Sequence, residues 1–482
     1  MTGIDLLRQL RDRNVTLSVD GQELAVTAPK GALSPELRAK LGELKSELIG
    51  LLGGSGGGRG PIRPVERGSG GPVEAGASFA QQRLWVLHQL APDGAFLNTR
   101  IPLRLDGKLD AGALQAALDG LVARHETLRT TFRTQGGEVM QVIASPAPCR
   151  LGVVDLGALA PDARDAEMRR LLEEEARRPF DLSTDPPLRA QLLRLSADNH
   201  VLQLTLHHII SDGWSIPVLY RDLGALYEAA RAGRAPSLPP LPIQYADFSA
   251  WQRQWLSGAA LAEQLAFWRS RLDGAAELQL PTDRPRPVLP THSGAHETRV
   301  LSPRLSAALG ALCKRQGATP YMVLLAALTV LLQRYTQQDD VVVGSPIANR
   351  THFELEELIG FFVNSLVMRT DASGDPSFVE LLARVRRVAL EAYAHQDLPF
   401  ERLVEELDPD RDLNRNPLFQ VMFAVQNAPA KASRPAGADL TIAVIPFEVD
   451  MTHFDLEVHV SEVAGQLHVD FVYSTELFDA AT

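Results

Sequence analysis

The feature that most restricts how this 482-residue chain can fold is a glycine-rich stretch, residues 53–77. It contains ten glycines and three prolines, and its few apolar residues follow neither a helical nor a strand period. Glycine loses more conformational freedom on folding than any other residue, so this composition favours a flexible linker, which as a coil would span about 28 Å. We therefore expect a small unit, residues 1–52, joined by the linker 53–77 to a larger unit that begins at residue 78.

Charge and composition exclude several classes of protein. The 48 Lys and Arg against 59 Asp and Glu give a formal net charge of −11, which argues against a nucleic-acid binder. The N-terminus lacks the apolar core of a signal peptide, and the longest apolar run, residues 321–332, is too short to span a bilayer. The two cysteines, Cys149 and Cys313, show no metal-ligand or disulfide-framework spacing. We expect a cytoplasmic chain that binds no membrane, no nucleic acid and no metal.

The small unit, residues 1–52, carries the pattern of a helix, a hairpin and a second helix. Apolar residues recur at helical spacing over residues 4–10, and alternating apolar runs flank Asp20-Gly21, a pair typical of a tight hairpin turn. Ser34-Pro35 then predicts the N-cap and first turn of the second helix. About fifty residues form only a small core, so a partner or a second copy would help to stabilise it.

The larger unit, residues 78–482, mixes predicted helices and strands without a repeat. We place a boundary between two lobes near residue 250, which divides the unit into residues 78–250 and 251–482, each long enough for its own core. The segments with the clearest patterns are helices over residues 111–124, 164–178 and 318–334 and strands over residues 201–206 and 341–344.

One segment of the larger unit, LHHIISDGWS, carries residues suited to catalysis. It follows a predicted strand and precedes a helix that Ser215 could cap, and such turns often present catalytic side chains. His207 and His208 are adjacent in an extended chain and so point to opposite sides, which lets only one of them face a given substrate. Asp212 could orient the imidazole of His208 or pair with a distant arginine, and Gly213 would let a ligand approach the backbone.

Three interpretations of this segment are open from the residues alone. The two histidines and Asp212 could bind zinc, although histidines on opposite sides would spoil the ligand geometry. The histidines could also be structural residues beside a turn. Alternatively, one histidine could act as an acid or base in acyl transfer, activating an amine or a hydroxyl for direct attack on a thioester without a serine or cysteine nucleophile.

HHIISDGWS resembles the HHxxxDG signature of the condensation domains of nonribosomal peptide synthetases, which are relatives of chloramphenicol acetyltransferase. Six further segments resemble motifs of that family in the family's order. They are SFAQQRLW (78–85), RHETLRTTF (124–132), YADFSAWQ (245–252), IGFFVNSL (359–366), HQDLPF (395–400) and RNPLFQ (415–420). Seven motifs in order are very specific, so the larger unit is identified as a member of this family by resemblance.

The resemblance implies an α/β (α+β) fold of two chloramphenicol acetyltransferase-like lobes, arranged as a V-shaped pseudo-dimer around a tunnel open at both ends. A donor carrier domain would present an acyl or peptidyl thioester at one mouth, and an acceptor carrier domain an aminoacyl thioester at the other. The substrates would arrive on the phosphopantetheine arms of these carriers, so that the chain itself binds no cofactor. The implied activity is that of an acyltransferase that forms peptide bonds.

The resemblance also implies roles for single residues. His208 would be the active-site histidine, either as a general base or as a residue that positions the amine, whose pKa of about 8 requires little help with deprotonation. Asp212 would be structural and paired with Arg350, and the amide of Gly213 could bind the developing oxyanion. His207 completes the catalytic candidates, although we expect it to pack away from the substrate. The secondary active-site candidates are Trp214, Ser215 and Asn364.

The motif also narrows the reaction within the family. Heterocyclisation relatives carry a DxxxxD pattern, whereas both histidines are present here. Epimerisation relatives share HHxxxDG, and non-catalytic recruitment modules of this fold typically lack the active histidine, so an epimerisation domain and a recruitment module remain the alternatives to peptide-bond formation. An L-configured donor end is favoured over a D-configured one, and a polyketide-type donor stays open.

Residues 1–52 resemble the small N-terminal docking domains of such synthetase subunits, in which an exposed hairpin binds the C-terminal tail of the upstream subunit. The hairpin here is residues 15–27, and an unpaired strand edge can accept a strand from another chain. The unit could instead merely protect the terminus. No adenylation motif follows residue 482, so we expect the sequence to be a piece of a larger synthetase with an adenylation domain downstream.

Overall fold

The computed structural model describes most of the chain as two compact units, Met1–Ile62 and Arg63–Thr482. The described residues are 10, 15–20, 23–28, 33–45, 60–68, 71–92, 94–288, 291–407, 414–426, 434–435, 440–445, 451–463 and 465–482. The predicted helix over residues 4–10 lies almost wholly outside these ranges, as do the turn residue Gly21 and the glycine run 53–59.

The small unit contains the predicted hairpin and the predicted second helix. Strands β1 (Thr16–Asp20) and β2 (Glu23–Thr27) pair antiparallel, with Thr16 opposite Thr27. Helix α1 (Pro35–Glu43) begins after Ser34, whose Oγ accepts the amide of Leu37 at 3.3 Å, so the N-cap lies where the Ser-Pro pair predicts it. The buried apolar residues of this unit are Leu10, Val15, Leu37 and Leu41.

Much of the predicted linker is fastened to the larger unit. The amide of Val65 donates to Asp247 at 2.8 Å, and Arg67 binds both Asp247 and Glu126 at distances of 2.8 to 3.2 Å. Residues 73–76 form a strand. The prediction of a flexible linker is therefore wrong from residue 63 onward, because glycine content hid carboxylate partners that are distant in the sequence.

The larger unit is a mixed α/β structure. Its strands are β3 (Val73–Gly76), β4 (Asn98–Gly107), β5 (Thr130–Gln135), β6 (Glu138–Ile143), β7 (Leu151–Asp155), β8 (Leu188–Ser196), β9 (Asn199–His207), β10 (Gly294–Val300), β11 (Asp340–Ile347), β12 (Asn364–Asp371), β13 (Val421–Gln426), β14 (Arg434–Pro435), β15 (Leu440–Val444), β16 (Leu456–Val463) and β17 (Gln466–Ser474). Its α-helices are α2 (Phe79–Leu90), α3 (Ala111–Arg124), α4 (Pro161–Arg177), α5 (Ser215–Arg231), α6 (Tyr245–Trp255), α7 (Gly258–Leu272), α8 (Pro303–Gln316), α9 (Pro320–Thr336), α10 (Phe378–Ala394) and α11 (Phe400–Leu407).

One six-stranded sheet, in the order β14-β15-β4-β9-β8-β7, defines the N-lobe. Strand β9 lies between β4 and β8 and is buried on both faces. Its leucine row faces the main core, as its alternation predicts, while the opposite row of Gln203, Thr205 and His207 is also buried. The side chain of Gln203 donates to the carbonyl of Leu172 on α4 at 3.0 Å, so the polar row lies beneath that helix. The C-terminal end of β9 therefore has one closed side, where His207 lies.

A second six-stranded sheet, in the order β10-β17-β16-β13-β11-β12, defines the C-lobe. Helix α9 packs in its core, as the apolar run predicts. The hydroxyl of Thr319 accepts the amide of Met322 at 3.3 Å, and Gln337 ends the helix in the left-handed conformation. Among the described residues no single helix is long and apolar enough to cross a membrane; one sharply bent pair, α8 and α9, meets the criterion by length and composition alone.

The predicted lobe boundary at residue 250 does not match the path of the chain. Helix α6 runs through that position, and strand β15, far beyond it, pairs with β4 in the N-lobe sheet, where Leu440 lies opposite Gly107. Ile359 and Phe361 also pack into the N-lobe core. A single division of the sequence at residue 250 is therefore wrong, because the second half of the chain crosses back to complete the first lobe.

Candidate active site

The histidine motif occupies the turn between the central strand of the N-lobe and a helix. Strand β9 ends at His207, His208–Ile210 form one 3₁₀ turn, and α5 begins at Ser215. The amide of His208 donates to the carbonyl of Leu97, next to the start of β4, at 2.7 Å. The predicted cap at Ser215 is wrong, because Ser215 is already helical and donates its own amide to the Asp212 carboxylate at 2.9 Å.

His208 has a defined orientation and a defined proton. Its Nδ1 hydrogen-bonds to the carbonyl oxygen of Ser211, and because a carbonyl only accepts, Nδ1 must carry the hydrogen. The ring of Phe361 lies against the imidazole, with ring centroids 4.8 Å apart and planes at 67°. The half-buried side chain therefore leaves Nε2 with a lone pair that can accept a proton or a hydrogen bond.

His207 lies in a different environment on the closed side of β9. Its Nδ1 accepts the amide of Ile209 at 3.1 Å, and its ring contacts those of His88 and Phe180 at centroid distances of 5.6 and 6.0 Å. Burial, together with the neighbouring imidazoles, lowers the pKa of His207 to about 3. A neutral, enclosed imidazole whose acceptor nitrogen is already occupied supports a structural role, and it does not converge with His208 as zinc ligands would.

Asp212 forms the predicted ion pair with Arg350. Arg350 Nη2 lies 3.0 Å from Asp212 Oδ1, and both side chains are almost completely buried. Burial lowers the pKa of Arg350, and the Asp212 carboxylate opposes that shift. The hydroxyl of Ser215 donates to the same carboxylate oxygen at 2.8 Å and accepts from Arg350 Nη2 at 3.1 Å. Asp212 and Ser215 are therefore parts of a buried polar cluster, turned away from the imidazole of His208.

This cluster fastens the loop 353–363 of the second half of the chain to the N-lobe. Asp212 accepts the amide of Phe362 at 3.0 Å, and Ser215 exchanges hydrogen bonds with both backbone groups of Gly360. The guanidinium carbon of Arg350 lies 4.1 Å from the centre of the Phe362 ring. The loop also presents Phe361 to His208, so the ion pair controls the site through the position of this ring.

The remaining sequence motifs hold the same loop from its other side. The hydroxyl of Thr127 donates to the carbonyl of Ile359 at 3.1 Å, and the hydroxyl of Tyr245 donates to the carbonyl of Phe361. Ser78 lies 2.8 Å from the Tyr245 hydroxyl. Three motifs that are far apart in the sequence thus converge on the loop that covers His208.

A second buried carboxylate extends this attachment. Asp222 on α5 accepts hydrogen bonds from Arg124, His125 and Arg221, each at 2.8 Å. Arg221 also binds Glu357, which lies in the loop 353–363. Burial lowers the pKa of His125, although its bond to Asp222 opposes that shift.

Gly213 and the secondary candidates differ in their surroundings. A Cβ added at Gly213 would meet no atom within 4 Å, so the described residues leave open space there. The indole of Trp214 donates to the carbonyl of Glu356 at 3.1 Å and is partly exposed. Asn364 spends its amide on the backbone of residues 396–400, with bonds of 2.8 to 3.0 Å, so its contacts support a structural role.

Sequence reasoning missed two parts of the site. It did not assign the carbonyl of Ser211 as the group that orients His208; Asp212, which it considered for that task, binds elsewhere. It also missed Phe361, although the motif IGFFVNSL contains it. The signal available was an aromatic pair beside a glycine, which says nothing about the ring it will touch in a distant, earlier part of the chain.

Two family models match the chain. The model described as condensation domain matches residues 74–482, and the model described as TubC N-terminal docking domain matches residues 4–53. One of the linear gramicidin synthase proteins of Brevibacillus parabrevis is 50% identical over 424 residues, which are 87% of this chain and 8% of that protein. Chondramide synthase cmdD from Chondromyces crocatus is 46% identical over 424 residues, which are 88% of this chain and 11% of that protein. The chain therefore spans only about a tenth of the length of these relatives.

Solved structures show the same fold. The X-domain in a complex of the X-domain and OxyB from teicoplanin biosynthesis is 34% identical, with a TM-score of 0.79 over 89% of this chain and 93% of that one. The first condensation domain of the calcium-dependent antibiotic synthetase, in complex with a substrate analogue, is 22% identical, with a TM-score of 0.68 over 85% and 92% of the two chains. The predicted fold class is confirmed by these likenesses.

Proposed function

Since this chain belongs to the condensation-domain family of nonribosomal peptide synthetases and carries a docking domain ahead of that domain, we propose that it joins a carrier-bound acyl or peptidyl donor to the amine of a carrier-bound aminoacyl acceptor. The observation that carries the proposal is the geometry of His208. Its Nδ1–H is committed to the carbonyl of Ser211, so Nε2 is free to act on the amine. The substrates arrive on phosphopantetheine arms, and the chain itself needs no cofactor.

The proposed reaction makes one bond and breaks one bond. The acceptor amine attacks the carbonyl carbon of the donor thioester, the C–N bond forms, and the C–S bond breaks. The proton lost by the amine passes through His208 Nε2 to the departing thiolate. Because an amine of pKa about 8 is partly unprotonated near neutral pH, holding it in place contributes to the rate beside proton removal.

The oxyanion that develops on the donor carbonyl needs a hydrogen-bond donor. The amide of Gly213 faces open space at the turn that carries His208, so we assign this role to it. Asp212 and Arg350 act indirectly, by holding the loop that places Phe361 on His208. His207 supports the turn from its closed side.

The docking domain gives the chain its proposed upstream partner. In the described residues β1 and β2 pair only with each other, so each strand has an edge that a peptide strand could join. We propose that an upstream subunit places its C-terminal tail there, and that donor and acceptor carrier domains and a downstream adenylation domain complete the assembly. Two free cysteines, Cys149 and Cys313, suit a reducing compartment such as the cytoplasm.

Intact-mass analysis of loaded carriers tests the proposal. A donor carrier bearing an acyl group is mixed with an acceptor carrier bearing an amino acid, and the matched control is the same acceptor with its amine acetylated. The expected result is a gain of the acyl mass on the free-amine acceptor only. No gain across a panel of acyl donors, or equal gain on the acetylated acceptor, would contradict amide formation.

The same assay tests the docking unit. Deleting residues 1–52 should weaken transfer from the native upstream carrier and leave transfer from a small pantetheine thioester unchanged. An equal loss with both donors would show that the deletion harms the larger unit rather than docking.

A second function is favoured by one observation. The solved relative with a TM-score of 0.79 is an X-domain in complex with OxyB, which shows that a domain of this fold binds a partner protein. A recruitment role for this chain would leave the acceptor mass unchanged in the carrier assay, whereas the free Nε2 of His208 supports catalysis.

A further inference from the structure

A second imidazole, His453, lies close to His208 but comes from the C-lobe. Phe96, next to the residue whose carbonyl binds the amide of His208, has its ring 6.3 Å from that of His453. His292 lies 6.0 Å from His453 and stacks on Phe96 at 5.3 Å. Three rings from both lobes therefore form one wall beside the turn that carries His208, and we call Phe96, His292 and His453 the ring wall.

The backbone on either side of the ring wall is firmly held. The amide of Thr452 donates to the carbonyl of His292 at 3.0 Å, and Nδ1 of His292 donates to the carbonyl of Thr452 at 3.2 Å. His292 adopts φ of 59°, a left-handed conformation that glycine would adopt without strain. Strain at this position is retained because both hydrogen bonds depend on it.

A buried carboxylate sets the position of His453 itself. Glu457 Oε1 accepts the amide of His453 at 3.0 Å and the hydroxyl of Thr452 at 2.9 Å, while Oε2 lies 3.0 Å from His459 Nε2. Burial raises the pKa of Glu457, but the bond to His459 and the His453 amide lower it further, so the group stays ionised. The ring of His453 is thus presented by a fixed turn.

His453 combines solvent access with enclosure by protein. The residue is exposed, yet burial lowers the pKa of its imidazole to about 4, against the influence of Glu457 and assisted by His208, His292 and Arg83. A side chain that water reaches while protein surrounds it lines an internal space. Its ring nitrogens have no hydrogen-bond partner among the described residues, so a neutral donor and a neutral acceptor face that space.

We propose that His453 binds a pantetheine-linked substrate in the space it shares with His208, through a hydrogen bond to an amide or amine group of that substrate. The inference rests on the proposed function and deepens it. A neutral imidazole suits this ligand because it can donate from one nitrogen and accept at the other, as amide groups require. Phe96 and His292 hold the ring, and Glu457 holds its backbone, so these three are positioning residues.

Two variants separate hydrogen bonding from packing. His453→Phe keeps an aromatic ring against Phe96 and His292 and removes both nitrogens, whereas His453→Gln restores a neutral donor and acceptor. His296→Phe on the exposed face of β10 is the matched control. Each full-length variant is titrated with a non-reactive acyl-pantetheine thioether and, separately, with an aminoacyl-pantetheine thioether, and KM and kcat are measured with the corresponding thioesters.

His453→Phe should weaken binding and raise KM about three- to tenfold for one of the two pantetheine substrates, the range expected for one lost neutral hydrogen bond. The kcat should stay within about twofold of the native value, and His453→Gln should recover most of the loss. The substrate affected shows whether donor or acceptor is bound. Unchanged Kd for both thioethers in His453→Phe would overturn the inference, as would equal losses in the Phe and Gln variants. Because the thioethers report binding without reaction, this result is independent of whether amide formation is observed.

Discussion

The two sides of the end of strand β9 differ more than any other pair of neighbouring positions in the site. On one side His207 is enclosed by His88 and Phe180, and its acceptor nitrogen is satisfied by the backbone. On the other side His208 faces Phe361 and retains a free Nε2. Successive residues of a strand point to opposite faces, so one step along the chain separates a structural imidazole from a reactive one.

The difference also shows how the turn assigns its protons. At His207 a backbone amide donates to Nδ1, so the hydrogen must sit on Nε2. At His208 a backbone carbonyl accepts from Nδ1, so the hydrogen sits there and Nε2 becomes the base. Opposite backbone partners thus give the two imidazoles opposite tautomers and opposite capacities.

The largest expected effect comes from removing the open-side imidazole. His208→Ala should lower amide formation by about 10²- to 10⁴-fold, the range for a lost acid–base group, and leave the melting temperature close to native. His207→Asn is the matched variant, because its Oδ1 can replace Nδ1 as the acceptor for the Ile209 amide. It should retain most of the activity. Comparable rate losses in the two variants, measured by intact mass of the acceptor carrier, would contradict the division between the two sides.

A large effect of a different kind is expected from the ion pair behind the turn. Arg350→Ala and Asp212→Ala each leave a buried charge without its partner, so each should lower the free energy of unfolding by about 3–5 kcal/mol. The double variant should lose less than the sum of the two, because neither charge is then stranded. Thermal melting beside His208→Ala checks this, and equal melting temperatures for all variants would show that the pair does not hold the loop.

Sequence reasoning reached the parts of the fold that depend on local pattern. The hairpin at Asp20, the buried helix α9 and the leucine row of β9 follow from turn chemistry and periodicity, and all three are present. The strap at Arg67 and the return of β15 to the N-lobe sheet were missed. Both depend on partners that are distant in the sequence, which no local pattern reveals.

The site was reachable from sequence only as far as the family resemblance extends. His208 and the Asp212–Arg350 pair were assigned by motif position, and the structure forms that pair. The resemblance could not supply Ser211, whose backbone carbonyl orients His208, because a carbonyl carries no residue identity. His453 was missed for a related reason, since its only signal is proximity created by the folding of two lobes.

A moderate effect of pH should distinguish the closed side from the open one. The pKa of His207 is about 3 in the folded chain, well below the ordinary value of 6.5, because burial disfavours the charged form. The unfolded chain therefore takes up this proton first, and stability falls as the pH decreases from 6.5 toward 3. His207→Asn, which cannot titrate, should lose about 2 kcal/mol less than the native protein between pH 7 and pH 5 in urea unfolding. An equal loss would place His207 in contact with water.

The smallest expected effect tests what the open side is open for. The backbone of Gly213 does not need a glycine, since its φ lies outside the left-handed region and an added Cβ would meet nothing within 4 Å. Gly213→Ala should therefore leave the melting temperature unchanged or slightly higher, because alanine restricts the unfolded chain. If the donor carbonyl approaches this amide, the new methyl group will stand in its path, and kcat/KM for amide formation should fall about tenfold. Native activity in Gly213→Ala would remove the amide from the oxyanion site, whereas a lower melting temperature would show that the turn itself requires glycine. A loss of activity without a loss of stability can arise only from what approaches the turn from outside, which is the property that separates the His208 side of β9 from the His207 side.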